Sequence, residues 1–381
     1  VRVFDFCIFG LAKIKNQNPV MKNTLRACTL LLMLLPGFAA KAQTAKEKAE
    51  AKGREAVKLM DAGKYEESMA LLKEACELDP DRFDLQYELA LVNYLKADYR
   101  ECIRILEYND KHKDVTDLLF QLLGNSYDVT GNSEKAIEAY DAGLKKFPKS
   151  GKLYLEKGNV FWGKKEYDKA LPFYEEGIKA DPAYPSNYYR ATRIYLSSSQ
   201  KVWGLIYGEI FMNLERNSAR TAEISELLYK TYEENISFKG KNKVTTSFCK
   251  TMFINAESLK DSSKFKLPYC MIYEPTLLIA MADEKSFSQA TMVKSRCSFT
   301  GLYFQLKHNE NYPNVLFDFQ QRLEKEGLLE AYNYWILMKG DEKSFIKWQA
   351  KNEDKWSAFV RWFTDNPLTL DDTHFFHSSQ Y

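Results

Sequence analysis

The strongest constraint in this chain is a 34-residue register that returns five times. Ala56, Ala90, Gly124, Gly158 and Thr192 form one column of small residues. Ser68, Cys102, Ala136, Ala170 and Gly204 form a second, and Leu72, Leu106, Tyr140, Tyr174 and Gly208 a third. Pro80, Asp114, Pro148, Pro182 and Arg216 form a fourth. A fixed period of this length points to a stack of supersecondary units, none of which buries its apolar face alone.

The columns have physical roles. Two antiparallel helices per unit fit the pattern, with the small residues of the first two columns where the helices approach. Tyr140 and Tyr174 then fill the space beside Gly124 and Gly158. Pro148 and Pro182 end a unit, because proline lacks the N–H and clashes with the preceding turn. Gly63 and Gly131 mark the turn inside a unit, where positive φ suits glycine. Tyr65, Tyr99 and Tyr167 open the second helices. The best-matched stretches are LLGNSYDVTGNSEKAIEAYDAGLKKFP and EKGNVFWGKKEYDKALPFYEEGIKADP. With this period the chain resembles the tetratricopeptide repeat (TPR) family. The resemblance covers residues 48–216 in five units, the second lacking its closing proline and the fifth degraded at Lys201, Gly204 and Gly208. It implies an all-α fold, a right-handed TPR helical solenoid, and it is far more specific for fold than for function.

Upstream of the repeats, residues 21–42 read as a secretory signal. Lys22 and Arg26 supply the positive end, Cys28 to Phe38 the apolar run, and Ala40-Lys41-Ala42 a small-x-small cleavage site before Gln43. The run is short of the ~20 residues a spanning helix needs; the alternative is an uncleaved anchor. Residues 1–20 read as sequence upstream of a natural start at Met21. Cys28 precedes the apolar run, which argues against a lipoprotein signal. The signal resembles those of Bacteroidetes, as does the aromatic-rich C-terminus, which looks like repeat proteins of that group. The expectation is a periplasmic or secreted protein with no membrane span in its mature part. Of seven cysteines, Cys76, Cys102, Cys249, Cys270 and Cys297 follow the signal. Their number is odd and no CxxC pair exists, so metal-site spacing is absent. Cys76 and Cys102 fall at small-residue helix positions and read as buried thiols.

Beyond Arg216 the register is lost but the pattern stays helical. Thr221–Asn235 reads as a sixth first helix, Lys239–Lys243 as a polar break, Thr246–Leu259 as an amphipathic helix and Lys260–Pro268 as a loop. Thr276–Ala282 and Ser286–Cys297 read as helices, although the short apolar runs over Lys266–Ala282 also fit strands. Val315, Leu316, Phe319 and Leu323 share one helical face within Pro313–Glu326. Three short helices follow, rich in Trp335, Trp348, Trp356 and Trp362. Residues 217–381 are thus expected to form an α-helical C-terminal capping domain, because an open stack would otherwise expose its last packing face.

Formal charge is only +2, from 54 basic and 52 acidic residues, so nothing marks nucleic acid as a partner. The chain carries no GxSxG, P-loop, GxGxxG or HExxH motif. His374 and His377, near Asp371 and Asp372, have a spacing that could face a metal on a helix, but they lie in a tail after Pro367 that reads as a candidate for disorder. No catalytic residue, metal or cofactor is expected. The expected function is an exported scaffold or adaptor binding a protein or peptide; an enzyme or ligand-binding module in residues 217–381 is the alternative. The resemblance places binding positions on the first helices, which here gives Tyr87, Tyr94, Gln121, Asn125, Asp128, Lys152, Asn159, Trp162, Tyr189 and Arg193. Asn and Arg can bond a peptide backbone, and Trp and Tyr offer rigid apolar area. The family's carboxylate clamp pairs Lys with Asn, but Gln121 and Leu155 stand at the Lys positions.

Overall fold

The structure, a computed structural model, describes residues 44–239, 244–249 and 266–381. The upstream stretch 1–20 and the expected signal 21–42 lie outside the described residues, as do 250–259 of the expected Thr246–Leu259 helix and most of the loop after it. The fold is all-α apart from one small hairpin. One compact unit ends at Val115 and a second spans Thr116–Tyr381.

The first unit holds α1 (44–61), α2 (Tyr65–Leu78), α3 (Phe83–Leu95) and α4 (Tyr99–Asn109). The second opens with three helix pairs: α5 (Asp117–Val129) with α6 (Ser133–Lys146), α7 (Gly151–Gly163) with α8 (Tyr167–Ala180), and α9 (Pro185–Ser197) with α10 (Lys201–Leu214). The small-residue columns sit where the sequence puts them. A Cβ at Gly124 would lie 2.2 Å from the Tyr140 ring, and one at Gly158 would lie 2.5 Å from the Tyr174 ring. The tyrosine of each second helix therefore occupies the volume that glycine vacates.

The turn inside each pair repeats one conformation. Gly63, Ala97, Gly131 and Lys165 all have φ between +61° and +83° and are spaced by 34. Two of these positions bear side chains in a region that costs L-residues about 1–2 kcal/mol. The fifth pair departs from this turn: Ser198 ends α9, and Gln200 forms a bridge with Cys249. Its glycines are not decay. A Cβ at Gly208 would press on Thr192 of α9 and on Leu228 and Ile224 of the next helix, so α10 is packed from several sides. An apolar surface all round is what such a buried helix requires.

That next helix is α11 (Ala219–Asn235), whose Ser218 cap accepts from Thr221 N–H. It runs into a two-stranded hairpin, β1 (Ile236–Phe238) antiparallel to β2 (Val244–Thr246). Thr246 is thus a strand residue and not a helix start. The Lys266–Ala282 stretch, which also fitted strands, is helical: α12 (Cys270–Ala280) carries Pro275 in its interior. Then come α13 (Gln289–Gln305), the one-turn α14 (His308–Asn311), α15 (Val315–Lys325), α16 (Leu329–Ile336), α17 (Glu342–Lys351) and α18 (Glu353–Asp365). Leu316, Phe319 and Leu323 are buried on α15 as their spacing implies. Trp348 stacks on Tyr334 at 4.2 Å, and Trp362 and Trp335 close on Phe319 and Phe363. A single apolar core runs from Leu155 to Phe376, without a packing break at residue 216. The register ends there, but the core does not.

An ion pair lies inside this core. Glu209 of α10 and Arg296 of α13 meet at 2.6 Å with side chains only 3% and 9% exposed. Arg296 also donates to Asn333 Oδ1 at 2.7 Å and to the Tyr232 hydroxyl at 2.8 Å. Glu209 Oε1 accepts from Tyr332 at 2.9 Å and from the Gln320 amide. Burial opposes the Arg296 charge, yet Glu209 and the surrounding hydroxyls hold its pKa above the ordinary value.

The tail after α18 is ordered by packing, contrary to the expectation of disorder. Phe376 is fully buried among Trp203, Tyr207 and Tyr269. His374 forms part of a turn with Asp371, whereas His377 is 1% exposed beside Glu175, so the two rings do not share a helix face. Burial depresses the His377 pKa below its ordinary value.

Two substitutions test this architecture. Lys165→Gly should stabilise the second unit by about 1 kcal/mol by relieving a left-handed side-chain residue, read as a raised denaturant midpoint. Glu209→Gln should cost roughly 3–5 kcal/mol because it leaves Arg296 buried without a counter-charge. The paired change Glu209→Leu with Arg296→Met should recover most of that loss, and urea unfolding of the three proteins measures it.

Candidate functional site

The first helices α5, α7 and α9 carry the side chains singled out for binding in the second unit. Two hydrogen bonds there repeat with the 34-residue period. The Tyr140 hydroxyl donates to Asn125 Oδ1 at 2.6 Å, and the Tyr174 hydroxyl donates to Asn159 Oδ1 at 3.1 Å. Each tyrosine thus sits against its glycine and also fixes the amide of the facing asparagine. Burial drives the Tyr174 pKa upward, which keeps the phenol protonated as a donor.

The other residues divide by what they touch. The Gln121 and Asn159 amides both donate to Glu156, each at 2.9 Å, and the Gln121 bond links α5 to α7. Lys152 lies 3.5 Å from Asp117, and Asp128 accepts from Ser133 across the turn of its own pair. Those two side chains are engaged in holding the repeat. Trp162 is half-buried, edge-on to Tyr167 at 5.0 Å. Arg193 stacks over it at 5.0 Å and pairs with Glu223 at 3.3 Å. Tyr189 is the most buried of the set and donates to Glu223 at 2.6 Å. In the first unit, Tyr87 packs near Phe83, and Tyr94 lies edge-on to Tyr99 at 5.2 Å.

Four residues of this face escaped the sequence reading: Glu156, Arg190, Arg220 and Glu223. Glu156 and Arg190 are 34 apart, as are Tyr189 and Glu223, so the register carried a signal for them. Arg220 and Glu223 stand on α11, whose role as a further first helix was legible. Their service to the same face was not, because it depends on how α11 packs beside α9.

A second periodic feature lies on the second helices. Glu107, Asp141, Glu175 and Glu209 form an acidic column, each directly after the column of Leu106, Tyr140, Tyr174 and Gly208. Asp141 takes Lys157 at 2.6 Å. Glu175 gathers the Tyr195 and Tyr207 hydroxyls and the Ser378 hydroxyl of the tail, at 2.7, 3.1 and 2.6 Å. Glu209 takes the Arg296 cluster. One repeat position thereby anchors the tail in the fourth pair and the C-terminal helices in the fifth. The C-terminal segment docks on α8 and α10 through Glu175, Tyr207 and Glu209, and α11 meets α9 through Glu223.

Among the described residues, one trio has the composition of a metal site: Cys249, Cys270 and Glu274, with ligand atoms within 4.8 Å of one another. Its two cysteines are joined as a disulfide, which leaves Glu274 to accept from Phe248 N–H at 2.6 Å. Cys76 and Cys102 are buried, as their helix positions imply.

Comparison with known proteins agrees with the repeat. Tetratricopeptide-repeat family models match residues 58–96 and 122–185. The human protein O-mannosyl-transferase TMTC1 is 27% identical over 126 residues, 32% of this chain. The match spans only 14% of that relative. Among solved structures, pilF of Pseudomonas aeruginosa is similar at 15% identity and a TM-score of 0.43, over 50% of this chain and 86% of that one. The C-terminal part of a TPR repeat-containing protein from Cytophaga hutchinsonii is similar at 13% identity and a TM-score of 0.40, over 77% and 98%. The family-model matches and the helix pairs coincide: this all-α chain carries tetratricopeptide repeats.

Proposed function

We propose that the protein is an exported adaptor that binds a peptide segment of a partner protein on the face formed by α5, α7, α9 and α11. Tetratricopeptide repeats are interaction scaffolds, and the observation that supports this face is the repeated tyrosine-to-asparagine bond. It holds Asn125 and Asn159 in fixed rotamers on successive first helices, so less side-chain entropy is lost when a partner docks. Trp162 beside them offers a rigid aromatic surface of the kind that dominates binding energy. Export rests on the signal pattern of residues 21–42 and on the disulfide between Cys249 and Cys270, a bond that suits an oxidising compartment. Among the described residues no helix is long and apolar enough to cross a membrane. A Bacteroidetes origin accords with the style of the signal.

An enzyme in residues 217–381 is the second reading, and the name of the human relative motivates it. The best-formed polar cluster reaching that region joins its Arg296, Gln320 and Tyr332 to Glu209 of α10. Its carboxylate is already met by Arg296, Tyr332 and Gln320 side chains. We read it as architectural.

Three measurements test the proposal. Photo-crosslinking in cells, with probes at Asn125 and at the exposed Tyr108 as control, should yield a partner from Asn125 only. Asn159→Ala with Trp162→Ala should weaken binding of that partner by roughly tenfold or more; undiminished binding would remove the face from consideration. Protein expressed from Met21 should be recovered outside the cytoplasm with Gln43 at its N-terminus, and recovery of an unprocessed cytoplasmic chain would overturn export.

A further inference from the structure

The same face indicates what a bound peptide carries, an inference that rests on the peptide-binding reading above. Three guanidinium groups converge on two of its rings. Arg190 and Arg193 lie 4.8 and 5.0 Å from the centre of Trp162. Arg220 and Arg193 lie 5.0 and 5.5 Å from the centre of Tyr189.

Two of the three are matched by carboxylates. Arg193 pairs with Glu223, and Arg220 grips Glu215 through Nε at 3.0 Å while donating to Ser186. The lysines of the neighbouring pairs are matched too, Lys152 by Asp117 and Lys157 by Asp141. Arg190 differs. Its guanidinium lies over the Trp162 and Tyr189 rings and acts on the Tyr174 phenol, and among the described residues it forms no ion pair. The acid at the same repeat position one repeat earlier, Glu156, is already taken by the Gln121 and Asn159 amides. Stacking on a ring uses the flat face of a guanidinium and leaves its edge, with five N–H donors in a fork, for an acceptor. Arg193, three residues away on the same helix face, adds a like charge that a bound anion would offset.

We infer that Arg190 receives the carboxylate of an Asp or Glu side chain in the bound peptide. Two parallel N–H···O bonds form from the guanidinium edge, Trp162 lies beneath as an apolar floor, and the oriented Asn159 stands alongside. The ligand class is an acidic peptide segment.

The test uses the full chain on an array of synthetic peptides in two matched sets. One set carries Asp and Glu, and the other carries Asn and Gln at the same positions. The intact protein should prefer the acidic set. Arg190→Gln should lower binding to that set roughly tenfold and leave the amide set unchanged. Arg190→Lys, which keeps the charge and the stem but not the fork, should lose part of the preference. Lys347→Gln, an equal charge change on the exposed side of α17, should alter neither set. Circular dichroism melts confirm that each variant is folded. Equal binding of the two sets by the intact protein, or a preference that survives Arg190→Gln, would overturn the carboxylate assignment while the face itself stands. Binding to neither set would overturn the face and the inference together.

Discussion

The second unit depends on one buried ion pair. Glu209 belongs to a repeat helix and Arg296 to the helices that follow, so the pair is the covalent register's link to everything beyond it. Two charges removed from water cost several kcal/mol each and are retained only when their remaining lone pairs and protons are met. Here Tyr232, Tyr332, Asn333 and Gln320 meet them, drawn from α11, α15 and α16. The arrangement specifies which helices meet around α10, since an alternative packing would strand a charge. It does so at the point where a repeat stack would otherwise end on an open apolar face.

The tail uses the same logic with a weaker set of partners. Glu175, one repeat earlier, accepts hydroxyls from Tyr195, Tyr207 and Ser378, and Phe376 fills the apolar space between Trp203 and Tyr269. Both anchors act on second helices. The first-helix face is completed from beyond the repeat register, where Glu223 of α11 meets Tyr189 and Arg193 of α9.

Much of this was legible in the residues. Small residues at a fixed spacing can serve only a close helix contact, and a tyrosine at a fixed spacing from them fills the gap, so Gly124 with Tyr140 and Gly158 with Tyr174 followed from the register. The glycines of the fifth pair misled for a physical reason. Gly204 takes Leu196 of its own pair, and Gly208 broke the tyrosine pattern because it serves contacts with Ile224 and Leu228 of α11 that lie outside its unit. The tail misled similarly, because a short polar stretch gives no sign of the aromatic socket that awaits Phe376. Ala97 and Lys165 concealed a left-handed turn that glycine alone would have announced.

By itself, the sequence determined the repeat and its helix pairs, because those depend on spacing along one chain. Only the tertiary structure decided that Glu209 meets Arg296, that Cys249 pairs with Cys270, and that Arg190 stacks on Trp162 without a carboxylate of its own. Each of these joins residues that no period relates, and which partner a buried charge finds is set by the packing of whole helices, not by local pattern.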